Sequence, residues 1–355
     1  MKQQFAVAIT CALLAGACAS STGPTPPPNE GPPKISCPAS QMIQLVSGNT
    51  IAVTVPSPTF VNGKAPVLTS CSIQSGTVLG IGTTTVSCTA TDVLQRADAC
   101  AFTVTVLAPP MLTATKFVAF GDSITAGEDG VDGGPDTGGL CQPVVTSSAG
   151  IHQRVILPDA QTYPGQLQTK LSARYQTQSP TVLKRGCPGE SVDGLDKMKT
   201  RQRFDALVST GQYDVVLIME GSNDLDNVAG ADSAKQLGAV GSAAAALRLL
   251  VDDAKSVGVR PLLATIPPMS AAGRRGGGAT LVPLLNDRIF QVGGAENLTI
   301  VDVYTAFNGN LSLLGDDGLH PNASGYGVIA DAFFAAIKNA FEVKTAMPVL
   351  SFRRR

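Results

Sequence analysis

The chain has 355 residues, of which 44% are hydrophobic and 15% are charged. That is enough apolar material for one large core and a smaller second core, so the sequence predicts two domains. Lys and Arg total 26 against 27 Asp and Glu, and this balance gives no excess charge that would favour nucleic acid or an acidic polymer as a partner.

The first 18 residues have the pattern of an export signal. Lys2 supplies a positive start, Phe5 to Leu14 form an apolar stretch, and Ala15-Gly16-Ala17 provide small residues for cleavage. The apolar stretch is too short to span a membrane. The run LLAGAC, which ends at Cys18, resembles a bacterial lipoprotein signal, and this resemblance implies an acylated cysteine that anchors the chain to a membrane. Plain cleavage explains the same residues, so the predicted location is either secreted or on the cell envelope of a bacterium.

Residues 19–34 are predicted to be a spacer. They include the run TGPTPPPNEGPP, which contains six prolines and no residue that could anchor a core. Such a composition favours a semi-extended chain that holds a domain away from a surface. At the other end, residues 346–355 are interpreted as a solvated tail that closes with three arginines.

The eight cysteines fall into groups along the chain. Cys11 lies inside the export signal and Cys18 at its end, which leaves one group of four and one group of two. Even groups in an exported protein with two histidines and no CxxC spacing favour disulfides over metal binding. The sequence does not fix the connectivity, and the working hypothesis is Cys37 with Cys100, Cys71 with Cys88, and Cys141 with Cys187.

Residues 35–108 are predicted to form a small all-β sandwich. The segments TIAVTV, TTTVSCTATD and CAFTVTVL alternate β-branched and small polar residues with a period of two, and turn-forming residues interrupt them at short intervals. The stretches SCSIQSG, GIGTTTVSCTATD and ADACAFTVTV resemble the hyalin-repeat domain, an immunoglobulin-like module of extracellular proteins. The resemblance implies adhesion or spacing rather than catalysis, so this domain is either a passive stalk or a module that contacts a cell surface or a glycan.

From residue 112 to residue 345 the pattern changes to strands that alternate with helices. Continuous apolar segments predict five strands, namely KFVAF, TVLKRGC, YDVVLIMEGSND, VRPLLATIPP and LTIVDVY. Helices are predicted over Tyr163 to Tyr175, over Ser233 to Ser256, over LVPLLNDRIFQV and over SGYGVIADAFFAAIKNAF, the last of which Ser324 is expected to cap. Apolar strands separated by helices indicate an α/β fold with a parallel sheet that is covered on both faces.

Four polar clusters lie near the ends of these predicted strands. GDS follows the first strand, RGCPGES the second and GSND the third, while GDDGLHPN precedes the last helix. Functional residues of parallel sheets lie just beyond the carboxyl ends of the strands. The four clusters are therefore predicted to meet at one edge of the sheet.

Ser123, in the GDS cluster, is the candidate nucleophile. A serine hydroxyl is a poor nucleophile until a neighbouring base takes its proton, and the chain offers only His152 and His320. His152 lies in a long glycine-rich insertion, Glu128 to Ala160, and is interpreted as a surface residue. His320 follows Asp317 by three residues, and the Asp317 carboxylate could accept the Nδ1 proton and fix the tautomer of the ring.

Acyl transfer also needs donors that stabilise the oxyanion formed when a carbonyl is attacked. Asn223 can offer its side-chain amide, and Gly189 can offer a backbone N–H without a Cβ that would block close approach. The N–H of Ser123 would be a third donor. Asp122 is expected to support the turn through hydrogen bonds to the backbone and to take no part in the chemistry.

The motifs GDSIT, GCPGES with Gly189, GSND and DGLHP occur in the order typical of the SGNH, or GDSL, hydrolase family. This resemblance covers about residues 115–342 and implies a three-layer α/β/α sandwich that hydrolyses carboxylic esters through an acyl-enzyme, without a metal or an organic cofactor. The site residues that it implies are Ser123 as nucleophile, His320 as base, Asp317 as its orienting carboxylate, and Ser123, Gly189 and Asn223 as the oxyanion hole. Arg185 is a departure, because many members of the family have Asn there.

The sequence leaves the substrate open. The insertion Glu128 to Ala160 and the loop Ser270 to Thr280 are rich in glycine, and we expect both to border the cleft and to move as lids. Arg274 and Arg275 in that loop either attract an anionic substrate or are simply solvated. An esterase or lipase acting on short-chain esters, acetylated glycans or lipids is the leading hypothesis. Acyl transfer by the same site and surface binding through the β domain are the alternatives.

Overall fold

The computed structural model describes residues 31–132, 154–193 and 197–344. They form two compact units, one of which contains Ala52–Leu79 and Thr83–Thr105, while the other continues from Val106. No helix in these described ranges is long and apolar enough to cross a membrane. The predicted signal with Cys18, most of the spacer, His152, Cys141 and the basic tail lie outside the described residues.

The first unit is built from β-strands alone. In chain order these are β1 (Lys34–Ser36), β2 (Gln41–Gln44), β3 (Thr50–Ala52), β4 (Thr59–Val61), β5 (Leu68–Cys71), β6 (Val78–Gly80), β7 (Gly82–Thr91) and β8 (Ala97–Leu107). The order in the largest sheet is β2-β8-β7-β5, while β1 pairs with β4 and β3 pairs with β6. Every second residue of β7 points inward, so that Val86, Cys88 and Ala90 are fully buried. The predicted immunoglobulin-like all-β fold is confirmed.

Two of the hypothesised disulfides are present in this unit. The sulfur atoms of Cys37 and Cys100 are 2.01 Å apart, and those of Cys71 and Cys88 are 2.06 Å apart. Cys71 and Cys88 face each other in register across the β5–β7 pair. Cys187 is also disulfide-bonded. Because Cys141 lies outside the described residues, the pairing of these two cysteines stays a prediction.

The second unit alternates strands and helices. Its elements are β9 (Lys116–Gly121), α1 (Ser123–Ala126), β10 (Glu128–Asp132), β11 (Arg154–Ile156), α2 (Tyr163–Arg174), β12 (Thr181–Gly186), α3 (Lys197–Val208), β13 (Val215–Met219), α4 (Ser222–Asp226), α5 (Ser233–Ser256), β14 (Arg260–Leu263), α6 (Val282–Glu296), α7 (Val303–Ala306) and α8 (Ala323–Phe341). The main sheet is parallel with the order β12-β9-β13-β14, and β10 pairs with β11 in an antiparallel hairpin. The first four predicted strands of this region are therefore present.

Helices cover both faces of the parallel sheet. Side chains that alternate along β9 divide between the faces, since Val118 and Phe120 pack with α3, α5 and α6, whereas Phe117 packs with α2 and α8. Phe204 of α3 and Phe333 of α8 are fully buried in these two layers. Burying one such side chain contributes about 1.5–3 kcal/mol. The predicted three-layer α/β/α sandwich is confirmed.

The predicted fifth strand, LTIVDVY, is wrong in extent. Within it only Val301 pairs with the sheet, through a parallel bridge to Ala264. The chain cannot continue as a strand because α7 begins at Val303, where the Asp302 side chain caps it by accepting from the N–H of Thr305.

Two features of the helices also differ from the prediction. The cap of α8 is Asn322, whose Oδ1 accepts from the N–H groups of Ser324 and Gly325 at 3.1 Å each, so Ser324 lies inside the helix. Helix α3 was not predicted, because its sequence KMKTRQRFDALV is polar over the first two turns and shows no long apolar period.

Candidate active site

The register of the parallel sheet brings the ends of three strands together. Gly121 at the end of β9 lies beside Gly186 on one side and beside Met219 on the other. The segments that follow these three residues therefore leave the sheet at the same edge. The strand order reverses at β9, and such switch points are where open α/β sheets place their sites.

Ser123, His320 and Asp317 form a hydrogen-bonded line at this edge. The Ser123 Oγ lies 2.7 Å from His320 Nε2, and His320 Nδ1 lies 2.5 Å from Asp317 Oδ2. All three side chains are buried. An ionised carboxylate has no proton to give, so Nδ1–H donates to Asp317, and Nε2 is left to accept the hydroxyl proton of Ser123.

Asp317 is held in its ionised form by the groups around it. Burial raises the pKa of this carboxyl, but the hydrogen bonds from the His320 ring and from the backbone N–H groups of His320 and Leu319 outweigh burial and hold the pKa well below its ordinary value. The N–H groups of Leu319 and His320 also donate to Asp317 Oδ1, at 2.9 and 3.0 Å. Asp317 can therefore stabilise an imidazolium without taking its proton.

The turn of Asp317 is fastened to the loop Ser270 to Thr280. The Ser270 N–H donates to Gly318 O at 2.7 Å, and the Arg275 N–H donates to Asp317 O at 2.9 Å. A Cβ on Gly273 would lie 2.3 Å from Asp317 O, so only glycine allows this approach. The glycines of the loop thus have a packing role, and the lid movement expected for it stays a prediction.

Gly121 and Asp122 fix the turn that carries Ser123. A Cβ on Gly121 would lie 2.1 Å from Thr125 Oγ1 and 2.4 Å from Met219 O. Asp122 caps α1, since its Oδ1 accepts from the Ile124 N–H at 2.8 Å. As expected, Asp122 supports the turn through the backbone.

The three expected oxyanion donors lie on the segments that follow β9, β12 and β13. The N–H of Ser123 is the first of α1, where no intrahelical acceptor exists. Gly189 has a φ of +79°, a conformation that L side chains rarely adopt. Asn223 lies in α4, and its side chain is almost fully buried.

Helix α4 holds the loop that contains Gly189. The Asn223 amide Nδ2 donates to Glu190 O at 2.8 Å. The two carboxyl oxygens of Asp224 accept from the N–H groups of Val192 and Asp193, at 2.9 and 2.8 Å. The GSND motif therefore anchors the neighbouring loop with the side chains of both Asn223 and Asp224.

Residues 119–328 match the GDSL-like lipase/acylhydrolase family, and residues 29–106 match the HYR domain. The chain belongs to the GDSL-like lipase/acylhydrolase family. Both resemblances predicted from the motifs are thereby confirmed. No curated protein matches the sequence at a significant level.

Solved structures of similar fold include three hydrolases. One is a lipase/acylhydrolase from Enterococcus faecalis, with 23% identity, a TM-score of 0.47, and coverage of 65% of this chain and 99% of that chain. A second is the acetylxylan esterase Axe2 from Geobacillus stearothermophilus, with 22% identity, a TM-score of 0.44, and coverage of 64% and 95%. A third is LAE5, an α/β hydrolase from the metagenome of Lake Arreo, Spain, with 24% identity, a TM-score of 0.44, and coverage of 64% and 96%.

In this GDSL-like hydrolase, Arg203 of α3 also holds the loop that contains Gly189. Its guanidinium forms a bidentate ion pair with Glu190 and donates to Arg185 O at 3.0 Å and to Gly121 O at 3.3 Å. It also stacks on Phe120, with 3.8 Å between the guanidinium carbon and the ring centroid. This residue was not predicted from the sequence, because α3 lacks a clear helical pattern.

Two buried carboxyls follow the ends of β9 and β13 in the GDSL-like domain. Met219 pairs with Gly121, and the next residues are Glu220 and Asp122, both of which are buried. Burial raises the pKa of Asp122 to about 7. Burial and the nearby Asp122 carboxyl raise the pKa of Glu220 well above its ordinary value, and neither Glu220 oxygen has a hydrogen-bond partner among the described residues. The sequence feature that could have identified Glu220 is its position, because it is an acidic residue directly after the apolar run VVLIM.

Two further charged side chains reach the site of this hydrolase. Glu128 Oε2 lies 3.6 Å from His320 Nε2, and the Arg275 guanidinium donates to Asn223 Oδ1 at 3.0 Å. Glu128 begins the insertion that was expected to border the cleft, and no role was predicted for it. Arg275 was interpreted as solvated or as attracting an anionic substrate, whereas its side chain is only 22% exposed and contacts Asn223.

Proposed function

We propose that the protein is a serine esterase or lipase that hydrolyses carboxylic esters through an acyl-enzyme. The observation that carries this proposal is the line of hydrogen bonds from Ser123 Oγ to His320 Nε2, at 2.7 Å, and from His320 Nδ1 to Asp317 Oδ2, at 2.5 Å. A hydroxyl, a base and an orienting carboxylate within hydrogen-bond reach of one another are the parts that activate a serine nucleophile.

In the first half of the reaction, Ser123 Oγ attacks the ester carbonyl carbon while His320 Nε2 takes the hydroxyl proton. The carbonyl oxygen becomes an oxyanion that accepts hydrogen bonds from the N–H groups of Ser123 and Gly189 and from the Asn223 amide. When the tetrahedral intermediate collapses, the bond to the alcohol oxygen breaks, and the alcohol leaves with the proton from the imidazolium.

In the second half, a water molecule attacks the acyl carbon. His320 takes a proton from this water, and the second tetrahedral intermediate expels Ser123 Oγ, which recovers its proton from the imidazolium. The products are a carboxylic acid and the free enzyme. No step of this cycle needs a metal or an organic cofactor.

The proposal is tested by nitrophenol release from acetyl, butyryl and octanoyl esters by the mature protein and by its Ser123→Ala and His320→Ala variants. Wild-type turnover that both variants lose while they keep the wild-type Tm supports the proposal, and the preference for acyl length separates esterase from lipase. A wild type no faster than Ser123→Ala on every ester would overturn the proposal.

The same acyl-enzyme would perform acyl transfer if an alcohol or a sugar attacked in place of water. Product analysis with such an acceptor present separates the two reactions. Free acid as the main product supports hydrolysis, and acylated acceptor as the main product assigns the protein to the transferases.

We also propose that the protein is exported and that Cys18 is acylated after cleavage of the signal. The two disulfides among the described residues support export, since disulfides persist in oxidising compartments. The mass of the mature protein from membranes tests acylation, with Cys18→Ala as the variant that cannot carry the acyl group, and a wild-type mass equal to that of the unmodified cleaved chain would refute it. The HYR domain is proposed to act as a spacer or as a contact to surface glycan, which a glycan pull-down of the mature protein tests.

A further inference from the structure

Arg275 fixes one end of the Asn223 side chain. The Arg275 Nη2 donates to Asn223 Oδ1 at 3.0 Å, and Asn223 Nδ2 donates to Glu190 O at 2.8 Å. An amide has one acceptor end and one donor end, and the NH₂ group carries two protons. With the oxygen turned to Arg275 and one proton given to Glu190, the second proton of Nδ2 is left for another acceptor.

The opposite orientation of this amide is excluded by its neighbours. After a flip, the NH₂ group would face the donors of the Arg275 guanidinium, and Oδ1 would face the carbonyl oxygen of Glu190. Both contacts would be repulsive, and two hydrogen bonds of a buried group would be lost. Without Arg275, only the contact to Glu190 would set the orientation.

Arg275 is itself held in place by groups on both sides of the site. Its backbone N–H donates to Asp317 O at 2.9 Å, and its Nη2 lies 3.5 Å from Asp226 Oδ2 at the end of α4. The side chain is only 22% exposed. The guanidinium therefore meets Asn223 as a fixed cation, and a hydrogen bond from a cation to Oδ1 polarises the amide and strengthens its remaining N–H as a donor.

We propose that Arg275 is a positioning residue of the oxyanion hole, which sets the orientation and the donor strength of the Asn223 amide. The inference rests on the proposed function, because it assigns Arg275 a part in stabilising the oxyanion of ester cleavage. An interaction with the oxyanion exists only in the transition state and the intermediates, so losing it lowers kcat and leaves KM nearly unchanged.

The expected effects are specific to this position. Removing one oxyanion donor costs about 100-fold to 1,000-fold in kcat, so weakening one through Arg275→Ala should lower kcat by roughly 10-fold to 100-fold, with KM within about 3-fold of wild type. Arg275→Lys keeps a cationic donor and should have a kcat closer to wild type than to Arg275→Ala. Arg288→Ala is the matched control, because Arg288 is exposed on α6, where its Nη1 donates to Gln291 Oε1 at 2.9 Å.

A double-mutant cycle with Asn223→Ala tests whether Arg275 acts through the amide. The double variant should turn over at the rate of Asn223→Ala alone, since no amide is left to position. Falls in kcat that multiply would show that Arg275 acts independently and would overturn the inference, as would wild-type kcat in Arg275→Ala. Should Arg275→Ala not fold, Arg275→Gln takes its place in the cycle. If the wild type turns over no ester, both the proposed function and this inference are overturned. If the wild type is active and Arg275→Ala has the same kcat, only this inference is overturned.

Discussion

Gly121 and Asp122 place Ser123 at the end of β9 through backbone contacts. The glycine allows Thr125 and the β13 backbone to approach within distances that no Cβ permits, and the aspartate caps the single turn that begins at the nucleophile. The position of the reactive hydroxyl is therefore set by its two preceding residues, neither of which touches a substrate in the proposed mechanism.

Gly121→Ala should destabilise the fold and abolish turnover. Its Cβ would lie 2.1 Å from Thr125 Oγ1 and 2.4 Å from Met219 O, and such overpacking costs about 1–3 kcal/mol or more. Thermal unfolding and ester hydrolysis would measure both effects. The matched control is Gly238→Ala in α5, where an added Cβ meets nothing within 4 Å. That variant should keep full activity and gain about 0.5–1 kcal/mol, because alanine favours helix. A fully active Gly121→Ala would contradict the account of this turn.

Asp122 should make stability fall as the pH rises. Its pKa is raised from the ordinary 3.8 to about 7 in the folded protein, mainly by burial. The neutral carboxyl therefore stabilises the fold fully below pH 3.8, and this contribution disappears as the pH rises through about 7. Asp122→Asn keeps an oxygen for the Ile124 N–H and removes the titration, so its Tm should fall less than that of wild type between pH 5 and pH 8. Equal slopes of Tm against pH in the two proteins would refute this assignment.

At the scale of elements, α4 organises one half of the site. Its Asn223 and Asp224 side chains bind three backbone groups of the segment from Glu190 to Asp193. Arg203 of α3 binds the Glu190 side chain of the same segment. A loop without regular secondary structure is in this way held by two helices, and we expect this to keep the Gly189 N–H in place for its predicted role in the oxyanion hole.

Asp224→Ala should loosen that loop and lower kcat more than KM. The change leaves the N–H groups of Val192 and Asp193 without their acceptor, and each unsatisfied buried group costs about 1–3 kcal/mol. Hydrolysis kinetics and Tm measure the two effects. Asp252→Ala, which changes an exposed aspartate on α5, is the control and should match wild type. A kcat in Asp224→Ala equal to that of the control would show that the loop does not need this anchor.

The elements that the sequence predicts well are those with a strong apolar period. The bounds of α5 agree with the prediction residue for residue, β12 and β13 lie within their predicted runs, and β9 extends the predicted KFVAF by one residue, to Gly121. Helix α3 was missed because it buries only a few side chains, and the segment around Val301 was overestimated because an apolar run does not reveal where a cap will start the next helix. In both segments, contacts with parts of the chain that are distant in sequence determined the secondary structure.

Within the site, the residues that belong to a sequence motif could be predicted from the sequence. The residues that hold them in position could not. Ser123, His320 and Asp317 meet as expected, since strand ends and short spacings bring them to one edge. Their catalytic roles stay a prediction until turnover is measured. Arg203 and Arg275 contribute through contacts between segments that are distant in sequence, and no local pattern marks such contacts.

At the scale of the whole molecule, the two units rely on different sources of stability. The α/β unit buries large apolar side chains on both faces of its sheet. The all-β unit is small and has a disulfide between Cys37 and Cys100 and another between Cys71 and Cys88. Small exported domains depend on such links because their cores bury less apolar area.

Removing the two disulfides should therefore have unequal effects. The sequence separations are 63 residues for Cys37–Cys100 and 17 residues for Cys71–Cys88. In the chain-entropy model these loops give stabilisations of about 4 and about 3 kcal/mol. Replacing the first pair by alanine should lower the Tm of the all-β unit more than replacing the second, with kcat for esters unchanged in both. A larger loss from the Cys71–Cys88 pair, or a fall in kcat, would contradict this view.

The loop Ser270 to Thr280 has a consequence for protein engineering. It contacts the carboxylate side of the site through Asp317 and Gly318 and the oxyanion side through Asn223, with glycines at the closest approaches. Loops beside a cleft are common targets when substrate preference is redesigned, yet an insertion here would shift the Asp317 turn and the Asn223 side chain at the same time. Mutant libraries made to change the acyl preference should therefore leave this loop unchanged. Substitutions should be introduced in other segments that border the cleft.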